Sequence, residues 1–354
     1  MPNPLVSICI PTYNRAAELR ESLKSICGQD YAPLEILISD NCSDDETEKV
    51  CVAAAADPRV RYVRQSRNIG LYGNHNFCIE ASQGELLAIF HDHDVRDHRI
   101  ISKYVAFLQA HPEVGVVCSD WDLINEAGDV IGVREVPVKS VTPGLEFIGQ
   151  TMRSGRSSIG IPGALIRRSA LGPVRFNETG PIGFGDFVLW FEVAEHAAIG
   201  HIHERLWQWR QQRNSQSERT IESMTHDYYE NLMGYCDAHL QRWPDHGVMV
   251  DRWRTDIRQY LFWALAFELG LHYRNQGQRR TRQPASPTLF EIYDYRLSPE
   301  EVRRVLEQLH MYRMGVVQTA AHSIISILVR LGITKPLAWM TYHHSSLRDI
   351  LGLR

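Results

Sequence analysis

The chain has 354 residues, 44% of them apolar, which suffices for about two domains with a hydrophobic core and excludes a disordered chain. A net charge of −4 argues against a nucleic-acid partner, although residues 201–354 carry 20 basic and 16 acidic side chains and could face an anionic surface. Seven cysteines without a CxxC pair indicate reduced thiols, and the first residues do not look like a secretion signal. We therefore expect a cytoplasmic protein.

Short apolar, β-branched runs alternate with segments of helical periodicity along the first 110 residues. Strands are predicted at 5–10, 34–39, 60–65 and 85–90, and helices at 18–26, 44–56, 72–82 and 97–110. Such βαβα alternation predicts a Rossmann-like α/β fold, with a mostly parallel sheet and helices on both faces.

The pattern changes after residue 110. A strand is predicted at 114–119, a hairpin at 125–133, a helix at 186–198 and a strand at 205–210. From residue 218 the pattern is almost wholly helical, with one apolar stripe between Val302 and Leu331. We predict an α/β domain at residues 1–215 and an all-helical C-terminal region at 216–354.

Chemically active side chains follow each of the first four strands. They lie in Pro11-Thr12-Tyr13-Asn14-Arg15, Ser39-Asp40-Asn41, Arg67-Asn68-Ile69-Gly70 and His91-Asp92-His93-Asp94. Ligands of doubly wound sheets bind at the carboxyl ends of the strands, so these groups suit a ligand with a base, phosphates and a metal. The missing GxGxxG and GxxxxGK[ST] motifs argue against a dinucleotide-binding enzyme and a P-loop protein.

Asp92 and Asp94 are two carboxylates on alternate residues just past a strand. Such a pair can hold Mg²⁺ or Mn²⁺, which prefer oxygen ligands. The interleaved His91 and His93 leave a zinc site or a phosphohydrolase open as alternatives, because imidazole suits zinc. The other such pair, His201-x-His203, is interpreted as the end of a strand.

Four segments together resemble the successive signatures of family 2 glycosyltransferases with the GT-A fold. They are PTYNR (11–15), EILISDNCSDDET (35–47), RNIGLYGNHNFCIEASQGELLAIFHDHDV (67–95) and GFGDFVLWFEVA (183–194). The resemblance covers about 60% of the chain, in order. It implies a nucleotide-sugar-binding part at about 1–120 and an acceptor part at 121–215, with residues 157–168 forming an acceptor-side loop.

The resemblance also implies roles for single residues. Donor-binding roles fall on Pro11, Tyr13, Arg15, Asp40, Arg67, Asn68, Asp92, His93, Arg210 and Arg213. Asp40 would receive the base N–H, as in members that use uridine or thymidine donors, and Arg210 and Arg213 would face the diphosphate.

The metal-binding and catalytic roles fall on acidic residues. Asp94 and Asp92 would bind Mn²⁺ or Mg²⁺, with His93 and Val95 departing from the acidic patterns of many relatives. Asp186 would be the catalytic base, kept ionised by the dipole of the helix that it opens. Relatives often have Glu-Asp at this point, whereas here Gly185 precedes Asp186.

The function that follows is an inverting, metal-dependent glycosyltransferase. It would move a sugar from a UDP- or dTDP-sugar to a hydroxyl of a glycan or lipid-linked saccharide, in synthesis of bacterial surface polysaccharide such as O-antigen. Alternatives are a sugar nucleotidyltransferase and a nucleotide-binding scaffold or membrane adaptor. The helical C-terminal region would form a homodimer, contact the inner face of the cell membrane peripherally, or pack on the catalytic domain.

Overall fold

The computed structural model describes residues 3–155, 157–179, 185–211, 221–258 and 260. The chain divides into two compact units, one of residues 1–148 and 157–213 and the other of residues 149–156 and 214–354. The first contains the β-sheet, and the described part of the second is mainly helical. The predicted domain limits at residues 120 and 215 stay predictions.

Ten strands and eight α-helices lie in the described residues. The strands are β1 (Val6–Thr12), β2 (Leu34–Asp40), β3 (Val60–Arg64), β4 (Leu86–Ile89), β5 (Val95–Arg96), β6 (Val114–Ile124), β7 (Val130–Arg134), β8 (Val141–Thr142), β9 (Leu165–Arg167) and β10 (Ala198–Arg210). The helices are α1 (Ala16–Cys27), α2 (Thr47–Ala54), α3 (Leu71–Ala81), α4 (Ile100–Ala110), α5 (Gly144–Ser154), α6 (Arg168–Leu171), α7 (Gly185–Ala194) and α8 (Ile221–Arg242).

One sheet joins all the strands, in the order β3-β2-β1-β4-β9-β6-β10-β5, with β7 beside β6 and β8 beside β10. The first four strands of this order run parallel, as their βαβ connections require. Beyond them β9 runs antiparallel to both β4 and β6, whereas β6 and β10 pair in parallel. The predicted α/β fold is confirmed, and its second half mixes both pairings.

Alternation along β1 separates the two faces of the sheet. Ile8 and Ile10 are fully buried and share a core cluster with Leu23 of α1. The thiol of Cys9, on the opposite face, donates to the carbonyl of Cys78 on α3, 3.4 Å away. Because successive strand residues point to opposite faces, helices cover both sides of the sheet, as predicted.

Several elements differ from their predicted bounds. Strand β6 ends at Ile124 instead of residue 119, and α2 spans Thr47–Ala54 instead of 44–56. Strand β10 starts at Ala198 instead of residue 205, because the polar residues between 201 and 204 conceal a strand from an apolar pattern. Helix α7 ends at Ala194 instead of residue 198. All seven cysteines are free thiols, as the sequence predicts.

No helix within the described ranges is long and apolar enough to cross a membrane. The apolar stripe predicted between Val302 and Leu331 lies outside the described residues. Its predicted roles in dimerisation or membrane contact therefore stay predictions.

Gly84 is expected to be essential for the packing of β4 against β1. Its N–H donates to Ser7 Oγ at 2.7 Å, and an added Cβ would lie 2.6 Å from the Ser7 amide nitrogen. We expect Gly84→Ala to lower the free energy of unfolding by about 1–3 kcal/mol in urea denaturation, because the clash involves backbone. The control is Gly234→Ala in α8, where the methyl group meets no atom within 4 Å and should stabilise the helix. Equal midpoints for the two variants would contradict this prediction.

Candidate active site

The loops that follow β1 and β2 are bound to each other by hydrogen bonds. The Asn14 N–H donates to Ser43 Oγ at 2.9 Å, and the Asp44 N–H donates to Asn14 Oδ1 at 2.9 Å. The Ala16 N–H at the start of α1 donates to Asp45 Oδ2 at 3.1 Å. Asn14 has a φ of 52°, a left-handed conformation that asparagine tolerates. These contacts hold Pro11, Tyr13 and Arg15, each partly buried, beside the end of β2.

Asp40, the predicted acceptor for the base, is fully buried at the end of β2. Its Oδ1 accepts the Ser43 N–H at 2.9 Å, and its Oδ2 accepts the Tyr62 hydroxyl at 3.1 Å. Arg64 Nε lies 3.5 Å from Oδ2. Burial and the Asp40 charge raise the pKa of Tyr62, so its hydroxyl remains a donor. Tyr62 and Arg64 were missed at the sequence level, although they alternate along the strand that pairs with β2.

The loop before α3 contains the predicted base and ribose contacts. Asn41 shapes it, because its Nδ2 donates to Asn68 Oδ1 at 3.0 Å and its Oδ1 accepts the Ile69 N–H at 2.8 Å. Gly70 has a φ of 80°, which a glycine adopts without strain. Arg67 and Asn68 are exposed at this edge. The sequence places Asn41, Arg67 and Asn68 at one edge of the sheet. The structure adds that Asn41 connects the loop after β2 to the loop before α3.

Asp92 connects the β4 end to the β1 end. It is 5% exposed, and its Oδ2 accepts the Thr12 hydroxyl at 2.7 Å. Its Oδ1 lies 3.0 Å from His93 Nδ1 and 3.8 Å from Arg15 Nε. Three of the predicted donor-site residues, Arg15, Asp92 and His93, therefore belong to one network of contacts.

Asp94 is fully buried. Its Oδ1 accepts the backbone N–H of Arg210 at 2.9 Å. Within the described residues its Oδ2 accepts no hydrogen bond; the Arg96 guanidinium lies 3.6 Å away and the His91 ring 3.9 Å away. A buried carboxylate oxygen without a hydrogen bond is costly unless a cation satisfies it.

Arg96 is the buried cation beside Asp94. Its guanidinium lies 4.4 Å from the centre of the Phe90 ring and 5.4 Å from that of Trp207, and it donates to the Pro162 carbonyl at 2.7 Å. Pro162 belongs to the predicted acceptor-side loop, so this arginine joins that loop to Asp94. Arg96 was not predicted from the sequence. It follows Asp94 by two residues and so lies on the same side of an extended segment, which would have indicated it as a partner of Asp94.

Arg210 holds the Asp94 loop through its side chain as well as its backbone. Its Nε donates to the His93 carbonyl at 2.9 Å, and one terminal nitrogen donates to the Glu126 carbonyl at 2.8 Å. The other terminal nitrogen donates to Glu21 on α1 at 2.7 Å. The predicted diphosphate contact of Arg210 stays a prediction. Arg213 lies outside the described residues.

The carboxyl edge of the sheet offers a donor set for a divalent cation. Ligand atoms of His91, His93 and Asp94 all lie within 4.8 Å of one another. Together with the unsatisfied Asp94 Oδ2, they fit a divalent cation, and Asp92 adjoins them through His93. The chemistry admits Mn²⁺ or Mg²⁺ through the carboxylates and also the zinc alternative through the imidazoles.

Helix α3 lies between this cluster and the start of α7. The His75 ring meets the His91 ring edge to face, with centroids 6.4 Å apart. One turn earlier, the Tyr72 hydroxyl accepts the Gly185 N–H at 3.2 Å. An added Cβ at Gly185 would lie 2.5 Å from that hydroxyl oxygen. Tyr72 thus occupies the space that a second acidic side chain would need at position 185.

Asp186 stands in the first turn of α7, as predicted. Burial raises its pKa to about 6, and hydrogen bonds from the backbone N–H groups of Asp186 and Phe187 only partly offset this effect. The loss of solvent thus opposes the helix dipole, but a carboxyl group with a pKa of about 6 is still mostly ionised at neutral pH, and the predicted role of Asp186 stays a prediction. A carboxyl group with a pKa near neutrality is a better base than an ordinary aspartate.

Residues 7–172 match the family model described as Glycosyl transferase family 2. The chain is 36% identical over 93 residues to the GalNAc(5)-diNAcBac-PP-undecaprenol beta-1,3-glucosyltransferase of Campylobacter jejuni. The aligned segment covers 26% of this chain and 30% of that protein. This segment, a little under half of the chain, belongs to glycosyltransferase family 2. The chain spans between 22% and 49% of the length of eight curated relatives that it matches.

Two solved structures share the fold. Staphylococcus aureus TarS 1–349 in complex with UDP has a TM-score of 0.58 at 17% identity, covering 94% of this chain and 91% of that one. The mannosyltransferase PcManGT of Pyrobaculum calidifontis, in complex with GDP-Man and Mn²⁺, has a TM-score of 0.54 at 15% identity, covering 100% and 89%. The GT-A-like fold predicted from the sequence is therefore confirmed.

Arg210→Lys should loosen the Asp94 loop, since a lysine cannot reach the His93 and Glu126 carbonyls and Glu21 at once. Leaving buried acceptors unsatisfied costs about 1–3 kcal/mol, so residues 91–96 and 125–129 should exchange their amide hydrogens faster. Arg205→Lys is the matched control, because Arg205 is exposed on the same strand and pairs only with Asp122 in the contacts described. Unchanged exchange in Arg210→Lys would contradict this positioning role.

Asp186→Asn should stabilise the protein at pH 8 and not at pH 4. A folded-state pKa of about 6, above the ordinary value of 3.8, means that stability falls as pH rises from 4 to 6. Since the group is only partly shielded, we expect a rise in Tm of about 2–4 °C at pH 8. Thermal denaturation at both pH values measures it, and an equal effect at both would contradict the raised pKa.

Proposed function

We propose that the chain is a metal-dependent, inverting glycosyltransferase that uses a UDP- or dTDP-sugar donor. Its acceptor is a hydroxyl of a glycan or of a lipid-linked saccharide in bacterial surface-polysaccharide synthesis, O-antigen included. The observation that carries this proposal is the fully buried Asp94, whose Oδ2 accepts no hydrogen bond from the described residues at the carboxyl edge of the sheet. Fold and family membership support the reaction class.

The residues that would hold Mn²⁺ or Mg²⁺ are Asp94, Asp92 and the adjoining His93. When bound, the cation neutralises the diphosphate and the charge that develops on the leaving group. Mn²⁺ in the fold neighbour PcManGT supports this assignment. The Thr12 hydroxyl already fixes the Asp92 carboxylate, so Asp92 needs little rearrangement to bind the cation.

Asp40 and the 67–70 loop are the proposed site for the nucleoside. A carboxylate that accepts the imino N–H of uracil or thymine favours these bases, and UDP in the TarS complex supports a uridine donor. Arg15 lies 3.8 Å from Asp92 and joins the nucleotide side to the metal side. Arg210 and Arg213 are the proposed cationic groups for the diphosphate.

Asp186 is the proposed catalytic base. It takes the proton of the acceptor hydroxyl while the acceptor oxygen forms a bond to the anomeric carbon. The bond to the nucleoside diphosphate breaks on the opposite side, and the electron pair leaves with the diphosphate. A single displacement inverts the configuration and needs no second carboxylate, which agrees with the glycine at position 185.

The acceptor and the location are proposed from the relatives. The Campylobacter relative is named for an undecaprenol-linked saccharide, which supports a lipid-linked acceptor. We place the enzyme in the cytoplasm, with peripheral contact to the inner membrane face or a homodimer through the C-terminal region. A glycan acceptor remains the alternative.

Asp94→Asn should remove most of the metal-dependent part of nucleoside diphosphate binding. Two phosphates cannot share a site with carboxylates unless a countercharge is present, so UDP affinity in Mn²⁺ should fall by at least about tenfold. Isothermal titration calorimetry with and without Mn²⁺ or Mg²⁺ is the measurement. Asp97→Asn, three residues on and paired with Arg99, serves as the control. Equal UDP affinity with and without metal in the unsubstituted chain would rule out the metal role.

Transfer activity should depend on pH through Asp186. The base must be ionised, so kcat/KM should rise through about pH 6 and level off above it. Asp186→Asn should reduce kcat by roughly 100-fold or more while UDP binding stays intact. If the Asp186→Asn variant transferred sugar at the full rate, the base would be another residue, and Glu192 and Glu178 are the next candidates.

The reaction observed also separates the proposed function from the alternatives. Sugar transfer supports a glycosyltransferase, nucleotidyl exchange would support the nucleotidyltransferase, and binding without reaction would support the scaffold.

A further inference from the structure

Four metal-ligating side chains share one face of the paired strands β6 and β10. Cys118 and Asp120 alternate along β6, and His201 and His203 alternate along β10. His201 Nε2 lies 2.8 Å from Asp120 Oδ1, and His203 Nδ1 lies 4.0 Å from Asp120 Oδ2. One ligand atom of each of Asp120, His201 and His203 lies within 4.8 Å of the other two.

This cluster is separate from the candidate active site. His203 precedes Arg210 by seven residues, which is roughly 20 Å along a strand. None of its members contacts Asp92, Asp94 or Asp186 among the contacts described. The proposed transferase mechanism therefore uses none of its members.

We propose that Asp120, His201 and His203 form a second metal site, which binds zinc and fastens β10 to β6. Two imidazoles and a carboxylate are a common zinc donor set, with metal–ligand distances of about 2.0–2.2 Å. The three ligand atoms are close enough that a small rotation of His203 brings them around one ion. This rotation is open to His203, whose side chain is 47% exposed.

The surroundings of the two buried ligands match those of a zinc site. The Val136 N–H donates to Asp120 Oδ1 at 2.8 Å and fixes the carboxylate. His201 Nδ1 lies 3.3 Å from Cys118 Sγ, which in turn lies 3.3 Å from the Ser158 carbonyl. Zinc ligands of this kind have their second ring nitrogen fixed by a hydrogen bond.

Besides the rotation of His203, zinc binding requires a change of tautomer at His201. The hydrogen on Nε2 of His201, which faces Asp120, moves to Nδ1 and is donated to Cys118 Sγ. The thiol hydrogen turns from Nδ1 to the Ser158 carbonyl. The imidazole stays neutral, and the Asp120 carboxylate offsets one of the two positive charges of the ion.

The position of the site suggests a structural purpose. The pairing of β10 with β6 shifts register between Ile202 and Arg205, so His203 lies within a β-bulge. A bulge interrupts the ladder of hydrogen bonds between two strands. An ion held by ligands on both sides of this interruption joins the strands where the ladder is weakest.

The test is zinc binding by the full chain carrying Asp94→Asn, which removes the carboxylate from the His91, His93 and Asp94 cluster at the active site. Calorimetry should find one zinc per chain, and His203→Gln should weaken it on the order of tenfold or more. His203 is exposed, so the variant should fold. His98→Gln, a change at another exposed histidine, is the control and should bind zinc unchanged.

Two further readouts identify the ligands. Co²⁺ should give the visible bands of a low-symmetry site without an intense thiolate charge-transfer band, since Cys118 is not a direct ligand. Zinc should raise the Tm of the Asp94→Asn chain and not that of its His203→Gln derivative. Equal zinc affinity with and without His203, or no stoichiometric zinc in the Asp94→Asn chain, would overturn the proposal.

Discussion

The burial of the Asp94 charge is the constraint on which the rest of the site depends. A fully buried carboxylate persists only with compensation, and Arg96 and the backbone N–H of Arg210 supply it from two different strands. The same two arginines attach the loop to Pro162 and to Glu126. The acidic edge is therefore part of the framework of the domain, so the carboxylates are held in position before any ligand arrives.

The donor side adds hydrogen bonds between neutral side chains to those of the buried Asp40 carboxylate. Loop connects to loop through asparagine, serine and threonine side chains, as in the Asn14–Ser43 and Asn41–Asn68 pairs. Such short polar side chains can satisfy irregular backbone that a sheet cannot. Both halves of the edge thus contain a fully buried carboxylate, Asp40 on the nucleotide side and Asp94 on the metal side, and the nucleotide side adds contacts between neutral polar side chains.

The sequence predicted the first half of the fold well, because its strands are short apolar runs with regular βαβ spacing. It also predicted that Asp40, Asp92 and Asp94 share one edge, since this follows from strand direction alone. It missed Arg96 as the partner of Asp94 and the meeting of Asp120 with His201. Asp94 and Arg210 are 116 residues apart, and the antiparallel strand β9 inserted between β4 and β6 has no periodic signal. The raised pKa of Asp186 depends on how much solvent is removed, which no local pattern encodes.

The close approach of Tyr72 to Gly185 has an evolutionary consequence. Tyr72 also stacks on Phe176, with ring centroids 5.0 Å apart, so the tyrosine cannot swing aside without losing that contact. A chain that acquires an acidic residue at position 185 must therefore shrink the residue at position 72. The two positions should vary together among related sequences: a large residue at one position should accompany a small residue at the other. The side chain at position 72 of α3 therefore determines whether the start of α7 can hold a second acidic residue.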